Sequence, residues 1–289
     1  MKLKKPFILL CLCFLIPAMP AAADSPVWKV TKDGNTLFIG GTVHLLTQAD
    51  YPLPDAFEMA YETSSIIVFE TDFQKMQAPE TQQALLRQVA YPEGISLKDR
   101  LDQGTYAVFV DFLKQRGLPE GNLVKFKAGM VSITLTMIEL QRLGLTGTGV
   151  DQFFSLKALN DHKEMGKLES LDEQIAFIAK MGEGHENDLI AYTMKQMKDL
   201  PALMKGLKAA WRNGDTRQLN KIGLEPMQKQ FPDIYTDLVL KRNKAWMPKI
   251  EAMLQTPEIE FVLFGALHLA GEEGVLAQLE AKGYKIERL

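Results

Sequence analysis

Leu37-Phe38-Ile39-Gly40-Gly41-Thr42-Val43-His44-Leu45 decides how this chain is read, because Val262-Leu263-Phe264-Gly265-Ala266-Leu267-His268-Leu269 repeats its form near the other end. Each stretch is an apolar run followed by Gly-x-x-His-Leu. Successive apolar residues fit a strand buried on both faces. Glycine at a strand end lets the backbone turn sharply or lets a ligand approach closely. A histidine three residues later is presented at the carboxyl end of its strand, and in an open parallel sheet those ends converge on the edge where ligands bind. For either histidine alone, a hydrogen-bonded core residue is the commoner account. The repeated context makes both His44 and His268 candidates.

Outward from the first stretch, Val27 to Thr31 and Thr36 to Gly40 flank Lys32-Asp33-Gly34-Asn35, a hairpin signature with its turn at Asp-Gly. A helix near Pro54 to Thr63 leads to a second apolar strand, Ser65 to Phe69, which ends at Glu70-Thr71-Asp72. Strand, helix and strand read as a crossover unit and predict a parallel pair. Helical patterns then cover Glu80 to Ala90, Gln103 to Arg116, Lys125 to Leu143 and Gln152 to Asp161. The glycine-rich loop 144–149 delivers Asp151 to a helix start. A short strand from Glu164 to Leu168 ends in Glu169-Ser170, a helix follows from Asp172 to Lys180, and Glu186 to Leu254 is nearly all helical in pattern. Ile259 to Phe264, a helix from Glu272 to Ala281 and a closing strand from Tyr284 to Arg288 complete the chain. The expected fold class is α/β (α+β): a central mixed, largely parallel sheet with paired strand-GxxH elements. A helical insertion spans roughly 74–254, interrupted by the short strand near 164–169, and residues 24–289 read as one domain.

Composition bounds the function. The 289 residues are 46% hydrophobic and 24% charged, which excludes disordered, collagenous and multi-span membrane classes. A formal charge of −3 supplies no basic field, so no nucleic acid is expected as partner. Lys2, Lys4 and Lys5 precede an unbroken apolar run from Phe7 to Ile16, Pro17 breaks it, and Ala21-Ala22-Ala23 supplies small residues before Asp24. That pattern reads as a signal peptide over 1–23, giving a secreted product that is periplasmic if the source is Gram-negative. The run is too short for a spanning helix of ~20 residues, so no permanent membrane anchor is expected. Cleavage there removes Cys11 and Cys13, the only two cysteines. Disulfides, thiolate metal sites and cysteine nucleophiles leave with them.

Glu70 follows a buried strand, where a carboxylate is costly without a partner. Two imidazoles and a carboxylate at one edge make a site for a divalent transition metal, with His44, His268 and Glu70 as ligands. An open coordination position would hold a water whose pKa the metal lowers. Asp151 and Glu169 are candidates for base, fourth ligand or support of a ligand, and Gly41 and Gly265 let the backbone or a substrate come close. Asp151 reads equally well as a helix N-cap, and Glu169 as a partner of Lys167 or a cap. His162 and His185 read as surface residues. The Met-Lys stretch from Met194 to Arg212 reads as a core-facing stripe with solvated lysines. His185-Glu186 lacks the second histidine of a zinc-helix motif, since position 189 is Leu189. Gly94-Ile95-Ser96 has Lys98 where a nucleophile elbow needs glycine. Neither a dinucleotide loop nor a phosphate loop is present.

Gly41-Thr42-Val43-His44, Glu70, Gly149-Val150-Asp151-Gln152, Gly166-Lys167-Leu168-Glu169 with Gln174, Arg242-Asn243 and Gly265-Ala266-Leu267-His268-Leu269 with Gly271 occur in that order. With the terminal Gly283-Tyr284-Lys285-Ile286, this series resembles the TraB/GumN family, relatives of the Tiki metalloproteases and more distantly of erythromycin-esterase and ChaN-like proteins. The resemblance implies a metal-dependent hydrolase, most simply a Tiki-like peptidase acting on a peptide or protein substrate with a metal-activated water. The metal would be Mn, Co, Zn or Fe. It implies His44 and His268 as ligands or catalytic histidines and Glu70 as ligand or base. Arg242 and Asn243 would aim a cation or an amide at a developing oxyanion. The alternative it carries is a non-catalytic periplasmic haem- or ligand-binding protein using the same cleft.

Overall fold

The computed structural model describes residues 25–289. The leader expected over 1–23, with Cys11 and Cys13, lies outside the described residues. Strands β1 (Val27–Lys32) and β2 (Asn35–Thr42) form the expected hairpin, with Lys32 opposite Asn35. Asp33 and Gly34 both have positive φ, 51° and 91°. That is the twist a two-residue turn between right-handed strands requires, and it explains Asp-Gly there.

The remaining strands are β3 (Leu45–Leu46), β4 (Ile66–Phe69), β5 (Gly147–Thr148), β6 (Glu164–Lys167), β7 (Glu260–Gly265) and β8 (Lys285–Arg288). Of the eight strands among the described residues, six form one sheet in the order β6-β4-β7-β2-β1-β8, and β3 pairs with β5 in a separate ribbon. Strands β6, β4, β7 and β2 are mutually parallel, while β1 runs antiparallel to both β2 and β8. This is a mixed α/β fold with a largely parallel central sheet and a substantial helical insertion.

The crossover from β2 to β4 yields parallel strands, as expected, but they are not neighbours. β7 lies between them, registering Phe38 against Phe261 and Ile67 against Phe261. Its sequence explains its place, because Phe261 to Phe264 are all fully buried. Phe261 and Leu263 join Phe38, Ile67 and Phe69 under Phe57, Phe154 and Trp211 on one face. Val262 and Phe264 join Leu37, Ile39 and Val68 under Trp246, Ile250 and Leu279 on the other. A strand with large apolar side chains on both faces gains most at the centre, at roughly 1.5–3 kcal/mol per such side chain buried.

In chain order, the segment between β4 and β7 is mostly helical. Gln103–Arg116, Ala128–Arg142 and the long Glu186–Arg212 helix share a core of their own around Phe109, Val131, Leu135 and Ile190. Met194 belongs to that core and Met197 is buried, while Lys195 and Lys198 are exposed, so this stretch packs as a stripe. Two π-helical turns, Asn220–Leu224 and Thr236–Leu240, precede the Lys241–Met253 helix. π turns are uncommon and concentrate at functional sites. Among the described residues, no helix is long and apolar enough to cross a membrane.

Candidate active site

The four parallel strands deliver their chemistry to one edge. His44 follows β2, Glu70 follows β4, Glu169 follows β6 and His268 follows β7. The backbone continues the sheet one step further there, with Glu169 N–H donating to the Glu70 carbonyl at 2.8 Å. The two Gly-x-x-His elements pack directly on one another. A Cβ at Gly41 would lie 2.7 Å from Leu269 Cδ1 and 3.3 Å from Ala266 Cα, so only glycine admits the turn that carries His268. The indole of Trp211 donates to the Gly41 carbonyl at 2.7 Å and fixes the first element from below.

Arg242, in the first turn of the Lys241–Met253 helix, is the hub of the buried half of this edge. Its Nε and Nη2 donate to both oxygens of Glu169, at 3.1 and 2.7 Å. Nη2 also donates to Glu70 Oε2, and Nη1 approaches His268 Nε2 at 3.2 Å. The other Glu70 oxygen accepts from the Gly265 backbone N–H at 2.7 Å. Burial on its own would raise the Glu70 pKa, but Arg242 and the two histidines outweigh it and hold the carboxyl at about 2. Glu169 is pushed upward by burial despite Arg242.

His268 is buried, 6% exposed, and its Nδ1 lies 2.7 Å from Asn243 Oδ1. The Asn243 amide nitrogen is committed to the backbone carbonyls of His268 and Glu273, so its oxygen is the atom facing the ring. That fixes the imidazole as the Nδ1–H tautomer with its Nε2 lone pair toward Arg242. Burial lowers its pKa to about 3, so it stays neutral. Asn243 is completely buried and aims its amide at His268 instead of into the cleft.

His44 is the opposite case. Its ring is 64% exposed, and its Nδ1 lies 2.9 Å from Oδ2 of Asp151, which is itself buried. Asp151 reaches it because Val150 N–H donates to the Val43 carbonyl, at 3.1 Å, and because Gly149 brings its backbone against His44. A Cβ at Gly149 would fall 2.2 Å from the His44 carbonyl oxygen. Gly149 is the N-cap of the Val150–Asn160 helix, so Asp151 is not a cap; its side chain serves the histidine. The Asp151 carboxylate raises the His44 pKa to about 9 against the opposing effect of desolvation, with Glu70 adding to the rise and Arg242 resisting it. Loop 144–149 is less free than its glycines imply, since Gly147 and Thr148 pair with Leu46 and Leu45 as β5 and β3.

The structure thus brings His44 with Asp151, and Glu70 with Glu169, Arg242, His268 and Asn243, to one sheet edge. Glu169 neither caps the Leu171–Lys180 helix, a role taken by Ser170, nor pairs with Lys167. His162 is an exposed turn residue, and His185 is exposed near Asp188 and Asp233, away from this edge. Trp246 was not singled out from sequence. Its indole donates to Glu169 at 3.2 Å and its ring lies 4.5 Å from His268 and 4.6 Å from the Arg242 guanidinium. Its signal was the spacing of four residues from Arg242, which puts both on one helix face. Among the described residues, no group of three or more His, Asp or Glu side chains is arranged to hold a metal ion.

The sequence profile of the TraB/PrgY/gumN family matches residues 26–288, nearly all that the structure describes. The chain belongs to the TraB/PrgY/gumN family. This family member is also distantly similar to Metalloprotease TIKI1 of Homo sapiens, 24% identical over 91% of the chain and 62% of that protein. TIKI1 of Danio rerio is 23% identical over 91% of the chain and 63% of its own length, and TIKI2 of Danio rerio is 24% identical over 86% and 58%. The chain therefore spans about three-fifths of the length of the curated relatives it matches. No solved structure gives a significant match.

Proposed function

We propose that this TraB/PrgY/gumN protein is a secreted, periplasmic-type hydrolase of the metalloprotease-like class, cleaving peptide bonds in a chain laid across the carboxyl edge of the sheet. The observation that carries the proposal is the His44–Asp151 pair. A buried carboxylate orients Nδ1, the ring stands open to solvent, and a neutral imidazole and an arginine-bridged carboxylate pair lie behind it. Hydrolysis of an amide must give a proton to the departing amine. With its pKa near 9, His44 holds that proton at neutral pH and presents it at Nε2, so its natural role is general acid. Glu70, held at about 2, is a weak base while Arg242 is on it, and acts there as a fixed negative charge.

Metal dependence is part of this proposal and rests on the relatives. The donor types suit a divalent transition metal, two imidazoles and carboxylates. Their arrangement does not fit one, because the Nε2 lone pair of His268 and a Glu70 oxygen both face Arg242.

The test is hydrolysis of an unfolded polypeptide by protein beginning at Asp24, with and without added Mn2+ or Co2+. His44→Ala should lower the rate by about 10²–10⁴, the range for a lost proton donor. Glu70→Gln should also lower the rate, at unchanged circular dichroism, because it removes the fixed negative charge that supports the His44 proton. Absence of cleavage under every metal condition refutes the hydrolase.

A further inference from the structure

We propose that Arg242 is the resident cation of the carboxyl-edge site and that, in this arrangement, it excludes a divalent ion. One planar group here engages every donor an ion would need on this side of the site: both oxygens of Glu169, one oxygen of Glu70 and the Nε2 lone pair of His268. The Asn243 contact turns the His268 lone pair toward the arginine and leaves it no other direction. Arg242 is positioned as firmly as its partners. Its guanidinium packs over the Trp246 ring, and the Trp246 indole ties down Glu169 as well. Arginine suits this task because its five donors lie in one rigid fork.

A guanidinium and a metal ion cannot both take the single Nε2 lone pair of His268. Beside the carboxylates, two like charges in a poorly hydrated setting also repel strongly. An ion could use these donors only where Arg242 gave up its bonds to Glu70, Glu169 and His268. The physiological meaning of this exclusion rests on the metal-dependent reading above, whereas the exclusion itself is a matter of binding.

The experiment is calorimetric titration of Mn2+ into wild type, R242A, R242K and the double variant R242A/E70Q, with thermal melts of each at fixed Mn2+. R242A should bind one Mn2+ at least about tenfold more tightly than wild type, since the ion no longer breaks a buried pair to enter. Its melting temperature should rise with Mn2+ more than that of wild type. R242A/E70Q should lose the gain, and R242K, which keeps a charge but not the fork, should fall between. Should R242A fold poorly without metal, recovery of its circular dichroism on refolding in Mn2+ would support the exclusion, and R242K supplies the affinity comparison. Equal Mn2+ affinities in wild type and both arginine variants would overturn the exclusion while leaving a metal-dependent hydrolase standing. No Mn2+ binding by any of them would overturn the exclusion and remove Mn2+ from the metals that hydrolase could use.

Discussion

His44 and His268 each stand three residues past a glycine at the end of neighbouring parallel strands, and they share little else. His44 is 64% exposed and leans on a buried carboxylate; His268 is 6% exposed, with an amide at one ring nitrogen and a guanidinium at the other. Asp151 pushes the first up to about 9, while burial pushes the second down to about 3. The residues that follow produce the divergence. After His44 the chain runs into Leu45-Leu46, which pairs with Gly147-Thr148 and draws Asp151 alongside. Around His268 it coils into the short turn Ala266–Leu269, packed under Gly41 and against the Lys241–Met253 helix. Equal spacing therefore gives equal placement at the edge, and the neighbour at Nδ1 assigns the role. A carboxylate makes a proton carrier, and an amide makes a fixed neutral acceptor.

The comparison breaks most visibly if the buried half is not held by charge. Arg242→Ala leaves Glu70 and Glu169 buried without their common partner. In metal-free buffer it should cost about 3–5 kcal/mol in urea unfolding, the usual penalty for stripping one partner from a buried ion pair. A loss below about 1 kcal/mol would mean that water already solvates these carboxylates.

The two histidines should also differ as structural residues. His268→Ala removes a ring wedged against Trp246 and leaves the Asn243 oxygen without its donor, a loss of about 1–3 kcal/mol. His44→Ala should cost under about 1 kcal/mol, because removing an open ring lets water reach Asp151. Paired denaturant curves decide the matter, and equal losses would erase the distinction between an exposed and a packed histidine.

Much of this was legible in the sequence for local reasons. The Asp33-Gly34 turn, the apolar runs of β2, β4 and β7, and the glycine before each histidine carry their own signals. Strand order did not, because placing β7 between β2 and β4 depends on a segment some 190 residues later in the chain finding the centre. The fate of Asp151 and Glu169 was equally hidden. A carboxylate near a helix start looks the same whether it caps, as Asp102 does for the Gln103–Arg116 helix, or reaches His44 or Arg242. Trp246 was missed because tryptophan in an amphipathic helix reads as core, and only the fold reveals its indole N–H on Glu169. The carboxylates were legible as costly, since burial demands a partner, but which partner is a property of tertiary structure.

The smallest effect gives the sharpest form of the comparison, because it reads each ring separately. In a 15N-histidine titration, His44 should change protonation near pH 9, whereas His268 should remain the neutral Nδ1–H tautomer down to about pH 3. Asp151→Asn removes the charge that lifts His44 and should return its midpoint toward 6.5 without moving His268. The signs for stability are opposite. A histidine raised by folding contributes fully below pH 6.5, and that contribution is lost as pH rises through about 9. A histidine lowered by folding contributes above 6.5, and loses its contribution as pH falls toward 3. Because the His44 ring is open to water, screening keeps its share small, so the alkaline decline in melting temperature should be shallow and should vanish in Asp151→Asn. Absence of an acid limb below pH 6.5, with His268 gaining a proton near pH 6 in the folded protein, would place that ring in contact with solvent. It would also remove the reason for treating Arg242 as the group its lone pair serves.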